Sequence, residues 1–274
     1  MRVPPSQLAR YSAAEHDRLN FQTRSFNEMM HGKAFHAPVE RPSRVLEVGA
    51  GTGYVTRILA STFPQAEVIG LDLSVIPQGD KTSATFVKGG IMDPGVAVTG
   101  PFDFLYSRML VYGGIRDWPA YIARAWDLLA PGGWLKTQEL NASTLYDRDG
   151  KDMHSNSIWR HDQREAFAAM GVDMVCATKL ERYFKDQGFV VVKVEKFRWM
   201  NEPWEGHPDI LLGAKVSTEL NPPVIFQSFE RMLGHTKTSA QLEAAREDIY
   251  RENAWSEDGK HRDYYVVWGQ KPGC

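Results

Sequence analysis

The stretch Val45–Gly53 constrains this chain more than any other. Branched apolar Val45 and Leu46 lead into Glu47, and Gly49, Gly51 and Gly53 follow on alternate positions. Behind them Tyr54, Val55, Ile58 and Leu59 recur at helical spacing. The pattern reads as strand, tight glycine turn, helix. Glycine is needed where the backbone bends sharply, or where a ligand approaches the main chain more closely than a Cβ allows. Whether a nucleotide site forms here depends on what the rest of the chain places around the turn.

Read in order, the remaining segments alternate between short apolar strands and helices. A capping box at Ser12–Glu15, with Leu19, Phe21, Phe26, Met29 and Met30 beyond it, predicts a helix from Ala13 to Met30. Strands follow at Glu67–Leu73, Thr82–Val87, Phe102–Tyr106, Trp134–Leu140, Phe189–Trp199 and Tyr264–Lys271. Between them the pattern predicts helices at Trp118–Leu129 and, through Glu181–Gln187, from Ile158 to a stop at Gly188. About sixty residues separate the last two strands, too many for a hairpin loop. They read as three helices, Pro208–Leu220, Pro222–Gly234 and Ser239–Asn253, forming a cap over the strand ends. The expected fold is α/β, a doubly wound sheet with its ligand outside the carboxyl ends of the strands. An N-terminal segment, 1–40, would lie over that ligand; 41–199 and 264–274 would form the core, and 200–263 the cap.

Composition narrows the function classes. With 274 residues, 43% of them hydrophobic, the chain can bury a full core. A formal charge of -2 gives no electrostatic reason to expect nucleic acid or an anionic membrane as partner. No stretch approaches the roughly 20 apolar residues of a membrane span, and 1–10 lacks the apolar core of a signal peptide. Cys176 and Cys274 make neither a disulfide framework nor a metal-ligand set, which fits a reducing, cytoplasmic setting and no metal.

Two acids decide which nucleotide is expected. Asp72 ends the second strand about twenty residues past the turn, where a carboxylate accepts hydrogen bonds from a ribose diol. Glu47, just before the glycines, would repel a pyrophosphate and favour an ammonium or sulfonium. That points away from NAD and towards a ligand with an amino-acid end.

Glu47, Gly49, Gly51, Gly53 and Asp72 together resemble the S-adenosylmethionine site of class I methyltransferases. More closely, several segments resemble the LaeA/UMTA-type methyltransferases of filamentous fungi. They are Asp17–Gln22, Ala66–Ser74, Ser107–Leu110, Ile115–Pro119, Leu129–Trp134 and Tyr265–Gly269. The resemblance implies a Rossmann-like sheet of seven strands with the last antiparallel, and methyl transfer from S-adenosylmethionine, releasing S-adenosylhomocysteine. It implies that Gly49, Gly51 and Gly53 line the methionine part, with Glu47 beside its amino group. Asp72 would bind the ribose, and Leu73, Gly90 and Ile91 would flank the adenine. Ser107 and Arg108 would face the methyl-donor end, with Arg18 and Gln22 closing over the cofactor. The family pattern usually has an acid where this chain has Gly90, so that side-chain contact is lost.

Methyl transfer is an in-line displacement in which positioning supplies much of the acceleration. A base is needed only when the acceptor must lose a proton. The candidates are His154, His161 and Glu139, in or just after the fifth strand. Tyr106, Tyr112, Trp159 and Trp204 are candidates for an aromatic acceptor wall, core packing being their other role. The expected function is methylation of an O or N nucleophile on a small-molecule acceptor in secondary metabolism. The alternatives are a regulatory LaeA-like subunit of a protein complex, with nuclear access, and an S-adenosylmethionine-binding cyclase that does not methylate.

Overall fold

The computed structural model describes residues 13–33, 35–76, 82–153, 157–201, 211–256 and 259–273. The first helix is α1 (Ala13–Met29). Five parallel strands follow: β1 (Arg44–Val48), β2 (Glu67–Asp72), β3 (Thr85–Lys88), β4 (Phe102–Arg108) and β5 (Leu129–Leu140). Then come β6 (Val190–Met200) and β7 (His261–Gln270), with β7 antiparallel to both β5 and β6. The sheet order is β3-β2-β1-β4-β5-β7-β6. From β1 the chain winds outward through β2 and β3, then returns to place β4 on the other side. The crevice where this reversal occurs opens at the carboxyl ends of β1 and β4, which is where an open α/β sheet binds its ligand.

The parallel strands are joined by α2 (Tyr54–Thr62), which follows β1, and α3 (Trp118–Leu128), which precedes β5. Asp117 caps α3 by accepting from the Ala120 N–H at 2.9 Å, and Pro119 sits in the first turn, where a missing N–H costs nothing. The Ala130–Gly133 turn expected before the fifth strand is carried inside β5. Its pairing steps from Leu129 to Trp134 while β4 advances only from Phe102 to Phe104.

The long helix expected between β5 and β6 is broken. It becomes α4 (Ile158–Ala169), a 3-10 turn (Cys176–Lys179) and α5 (Leu180–Gln187). The break falls at Gly171, whose φ of 74° continues no right-handed helix. The insertion between β6 and β7 is helical, as expected: α6 (Leu211–Lys215) with a π-helical turn (Val216–Leu220), α7 (Asn221–Leu233) and α8 (Ser239–Asn253). Pro222 and Pro223 open α7, and Thr238 with Gln241 forms a capping box on α8.

Alternation along the strands sorts the core into two layers. Val45, Phe104, Tyr106 and Val266 face α1 and α2, packing with Phe26, Met29, Val55 and Leu59. Leu46, Leu105, Leu135 and Val267 face the other way, onto α3 and α5 through Tyr121, Ile122, Leu180 and Phe184. A third, smaller core joins Trp159 of α4 to Phe229 of α7 and to Ala245 and Ile249 of α8. Thus α1 lies on one face of the sheet with α6 of the insertion packed against it, while α7 and α8 meet α4. Among the described residues no helix is long and apolar enough to cross a membrane.

Candidate active site

The glycine turn closes the crevice beside β1. Gly49 and Ala50 both donate their N–H groups to the Leu71 carbonyl, at 2.8 and 3.0 Å, which bends the chain over the end of β2. At Gly53 a Cβ would stand 2.9 Å from each of Arg57, Ile76 and Phe86, and the φ of 74° independently strains any other residue. Gly51 differs. It is also left-handed, with φ 57°, yet a Cβ there would meet nothing within 4 Å. Its face is open to a ligand, while Gly53 is needed for packing.

Asp72 is tied to this turn. One carboxylate oxygen accepts the Gly51 N–H at 2.8 Å, the other the Ser74 N–H at 2.8 Å. Burial raises its pKa, and those two backbone donors oppose the rise. Each oxygen keeps a second lone pair, so the carboxylate is fixed in place with acceptor capacity to spare.

Glu47 points from β1 to α2, where it accepts the Thr56 hydroxyl. Burial raises its pKa to about 8, against the Thr56 hydroxyl and the charge of Arg108. Arg108, at the end of β4, lies beside the turn: its carbonyl oxygen is 3.9 Å from a Cβ built at Gly49. Its Nη2 donates to Thr23 of α1 at 2.7 Å, and the guanidinium lies 5.4 Å from the Phe26 ring centroid. Its Nη1 is buried and has no hydrogen-bond partner among the described residues. A buried guanidinium nitrogen without an acceptor is costly. The amino-acid end of S-adenosylmethionine carries a carboxylate and an ammonium, and Arg108 and Glu47 match the two.

Helix α1 reaches the turn through Asn20, which accepts the Thr52 hydroxyl at 2.8 Å. Asn20 and Thr23 were not singled out by sequence. Asn20 falls inside the Asp17–Gln22 segment, but nothing in a helical pattern shows which polar residue meets the turn. Arg18 is engaged elsewhere: it pairs with Glu15 at 2.6 Å and donates to Asn221 of α7 at 3.1 Å, joining α1 to the insertion. Gln22 is half-buried on the same helix. Leu73 is half-buried directly after Asp72. Ile91 turns its side chain into the core, 3% exposed, so only its backbone can face a ligand.

At Gly90 the missing acid has a neighbour. Asp93 folds back and accepts the Gly90 N–H at 2.7 Å. Its Oδ2 stands 2.9 Å from where a Cβ of residue 90 would be. A carboxylate therefore occupies the space that an acidic side chain at 90 would fill.

The candidates for base and acceptor wall are dispersed. Glu139 is fully buried, and its two oxygens accept the N–H groups of Leu110 and Val111 at 2.6 and 3.1 Å. It thereby fixes the 3-10 turn Leu110–Tyr112 that follows β4. Burial raises its pKa to about 8. His161 is 71% exposed on the outer side of α4, with Glu165 at 3.7 Å. Ser107 is buried in the sheet, its hydroxyl 3.2 Å from Thr137. Tyr106 is sealed under α1 with its hydroxyl on Gln138 at 2.9 Å, and Trp159 is 1% exposed in the α4–α7–α8 core. Of Tyr106, Tyr112 and Trp159, Tyr112 alone is exposed, its ring 5.6 Å from Phe167. The structure does not bring these three rings together. His154 and Trp204 lie outside the described residues.

Comparison with known proteins fits this geometry. Residues 21–194 match the family model described as a methyltransferase domain. That span runs from α1 into β6 and includes the glycine turn, Asp72, Arg108 and Glu139. The chain belongs to this methyltransferase family and is an S-adenosylmethionine-dependent methyltransferase. It is 29% identical to methyltransferase pytC of Aspergillus terreus over 274 residues, covering 94% of this chain and 81% of the relative. With the secondary metabolism regulator laeA of Coprinopsis cinerea it shares 28% identity over 170 residues, 57% of this chain and 41% of that one. Among solved structures it resembles phosphoethanolamine N-methyltransferase 2 of Haemonchus contortus, in complex with phosphomonomethylethanolamine and S-adenosylhomocysteine. The TM-score is 0.58 at 18% identity, over 99% of this chain. That likeness is one of fold, and this chain spans 61% of the nematode enzyme's length.

Proposed function

We propose that the enzyme methylates an oxygen or nitrogen of a small molecule of secondary metabolism, docked beyond the ends of β4 and β5. The observation that carries the donor side of this reading is the buried Nη1 of Arg108, which has no hydrogen-bond partner among the described residues. It would take the carboxylate of S-adenosylmethionine, with Glu47 on the ammonium side and the open face of Gly51 along the methionine chain. Asp72 would accept from the ribose hydroxyls; Leu73, the backbone of Gly90 and Ile91, and Asp93 would border the adenine. The cofactor supplies an electrophilic methyl: its C–S bond opens as the acceptor's lone pair forms a C–O or C–N bond, and the pair returns to sulfur. The protein's own contribution is positioning. Glu139 holds the turn after β4, and Asn20 and Thr23 hold α1 over the donor.

A dedicated base is not part of this reading, since Glu139 is committed to two amides and His161 faces outward. His154, in the segment between β5 and α4, is the remaining candidate. The fungal relatives support a secondary metabolite as acceptor, and the buried thiol of Cys176 suits a reducing cytoplasm. Calorimetry with S-adenosylhomocysteine, followed by product mass on candidate acceptors, tests the reading. One added methyl per product is expected. Tight capture of a protein partner with no turnover of any small molecule would favour a regulatory role, and an isomerised product without added mass a cyclase.

A further inference from the structure

The chain leaves β4 through a residue in a conformation that side chains rarely adopt. Met109 has φ 55° and ψ 37°, the left-handed region, where its Cβ crowds the carbonyl that follows. Across the crevice, Gly49, Gly51 and Gly53 take their left-handed φ values as glycines. At 109 a long side chain is kept in the same strained conformation, and its surroundings hold it there. The Met109 N–H donates to the Gln138 carbonyl at 2.9 Å, and the next two N–H groups, of Leu110 and Val111, are taken by the Glu139 carboxyl. Strain of this kind persists only where the surrounding structure over-determines it, and it gathers at functional sites.

The left-handed residue reverses the facing of those around it. Along β4, Phe104 and Tyr106 face α1 and Leu105 faces α3. Arg108 keeps to this alternation, its guanidinium lying over the Phe26 ring of α1. A regular strand would send residue 109 toward α3 and residue 110 toward α1. The opposite is observed. Met109 packs, half-buried, against the core on the α1 side, while Leu110 is buried in the core on the α3 side. Leu110 there fills the space that a Cβ of Gly49 would need. Two consecutive side chains, Arg108 and Met109, are thus set on the α1 side, and the next one closes on the glycine turn.

We propose that Met109 is a specificity-determining residue of the donor site, its side chain bordering the transferable methyl of S-adenosylmethionine. The inference rests on the donor reading above, in which Arg108 takes the carboxylate and the turn at Gly49 lines the methionine chain. In the donor only three carbons separate the carboxylate from the sulfur, about the length of one methionine side chain. A residue bonded to Arg108 and turned to the same side therefore reaches the sulfur. Glycine would satisfy the backbone at 109 without strain, and the side chain is the one thing it would lose. A thioether is flexible and polarizable, and it packs closely on an apolar group such as a methyl. The spent product lacks that methyl, so the contact separates donor from product.

The test is calorimetry on the whole protein, with S-adenosylmethionine and S-adenosylhomocysteine as separate probes. Met109→Ala should weaken S-adenosylmethionine about fourfold, the worth of one buried methyl, and leave S-adenosylhomocysteine within about twofold. Met109→Leu, which restores the volume, should recover the parent ratio. Met109→Gly should lose the same discrimination as Met109→Ala, yet unfold at a higher denaturant midpoint than Met109→Ala, because glycine relieves the backbone. Should Met109→Ala fail to fold, the ratio is read on Met109→Gly. Equal weakening of both ligands would make the residue structural, and an unchanged ratio would place it away from the methyl; either overturns the proposal. So does a midpoint for Met109→Gly at or below that of Met109→Ala. Failure of the parent protein to bind S-adenosylhomocysteine would instead strike the donor reading itself, and this proposal with it.

Discussion

The donor and acceptor sides of the crevice are built in opposite ways. On the donor side, the glycine turn and Asp72 come from one βαβ stretch, and backbone amides hold it in shape: the Gly49 and Ala50 N–H groups go to the Leu71 carbonyl and the Gly51 N–H to Asp72. The region beyond β5 is assembled from Ser143 and Thr144 of the loop, Arg160, Gln163 and Arg164 of α4 and Arg262 of β7, and it is joined through side chains. The first arrangement is fixed by local backbone geometry and changes little when neighbours change. The second exists only once the inserted helices have packed against α4. On the proposed reading the first side holds a constant donor, and the second is where a particular acceptor is chosen.

The largest expected effect probes the donor side. Asp72→Ala removes both the Gly51 tether and the ribose acceptor, and should weaken S-adenosylhomocysteine about a hundredfold by calorimetry, two charge-assisted bonds being lost. Hydrogen exchange in the loop after β5 should change little. A matching loss of protection there would show that the two regions are one cooperative unit and would break the comparison.

Glu139→Gln comes next. An amide in place of the carboxylate turns an N–H toward one of the two backbone donors it now serves, at a cost of about 2 kcal/mol in unfolding free energy. The damage should fall on the turn Leu110–Tyr112, so acceptor binding should suffer while S-adenosylhomocysteine binding holds. Denaturant unfolding checks the first, and calorimetry the second. Unchanged stability would mean that the carboxylate does not hold the turn.

A pH effect follows from the same buried carboxyls. Glu47 is raised from 4.5 to about 8 by burial, so the folded protein holds its proton more tightly than the unfolded chain does. The stability this confers is complete below about pH 4.5 and is lost as pH rises through about 8. Glu47→Gln cannot titrate, so its stability should fall less between pH 5 and 8 than that of the parent, by about 1–2 kcal/mol. Parallel stability curves would refute the assignment.

How much was legible in the sequence follows the same division. Val45–Gly53 and Asp72 could be read because strand, turn and strand-end acid are bound by spacing along the chain. The sheet could be read because apolar runs and breakers mark each strand, and the insertion was too long to be a loop. Sequence did not show that Gly171 splits the helix after β5, since its apolar residues resume on both sides. Tyr106 and Trp159 look like acceptor-wall residues in a list of aromatics, yet each is consumed by a core that forms only in three dimensions. Arg160, Arg164 and Arg262 carry no motif at all. Their meaning lies in convergence over about a hundred residues of chain, which periodicity cannot register.

Gly90 marks the boundary between these two kinds of legibility, and it gives the finest test. By sequence the acid beside the adenine is missing, and Asp93 is three residues too late. Its carboxylate nonetheless returns to Gly90, accepting the N–H at 2.7 Å and standing where a side chain at 90 would stand. A hairpin of four residues has restored by folding what the linear pattern lacks. If Asp93 accepts from the adenine amine, Asp93→Ala should weaken S-adenosylhomocysteine only about fivefold, one solvent-exposed hydrogen bond. The sharper readout is selectivity. The parent protein should prefer S-adenosylhomocysteine over the analogue carrying hypoxanthine, whose ring offers an oxygen in place of the amine and would face a carboxylate with no proton to share. Asp93→Ala should erase most of that preference, and Gly90→Asp combined with Asp93→Ala should recover it. A preference that survives Asp93→Ala would assign adenine recognition to the backbone of Gly90 and Ile91, and would return this corner of the site to the purely local construction of the donor side.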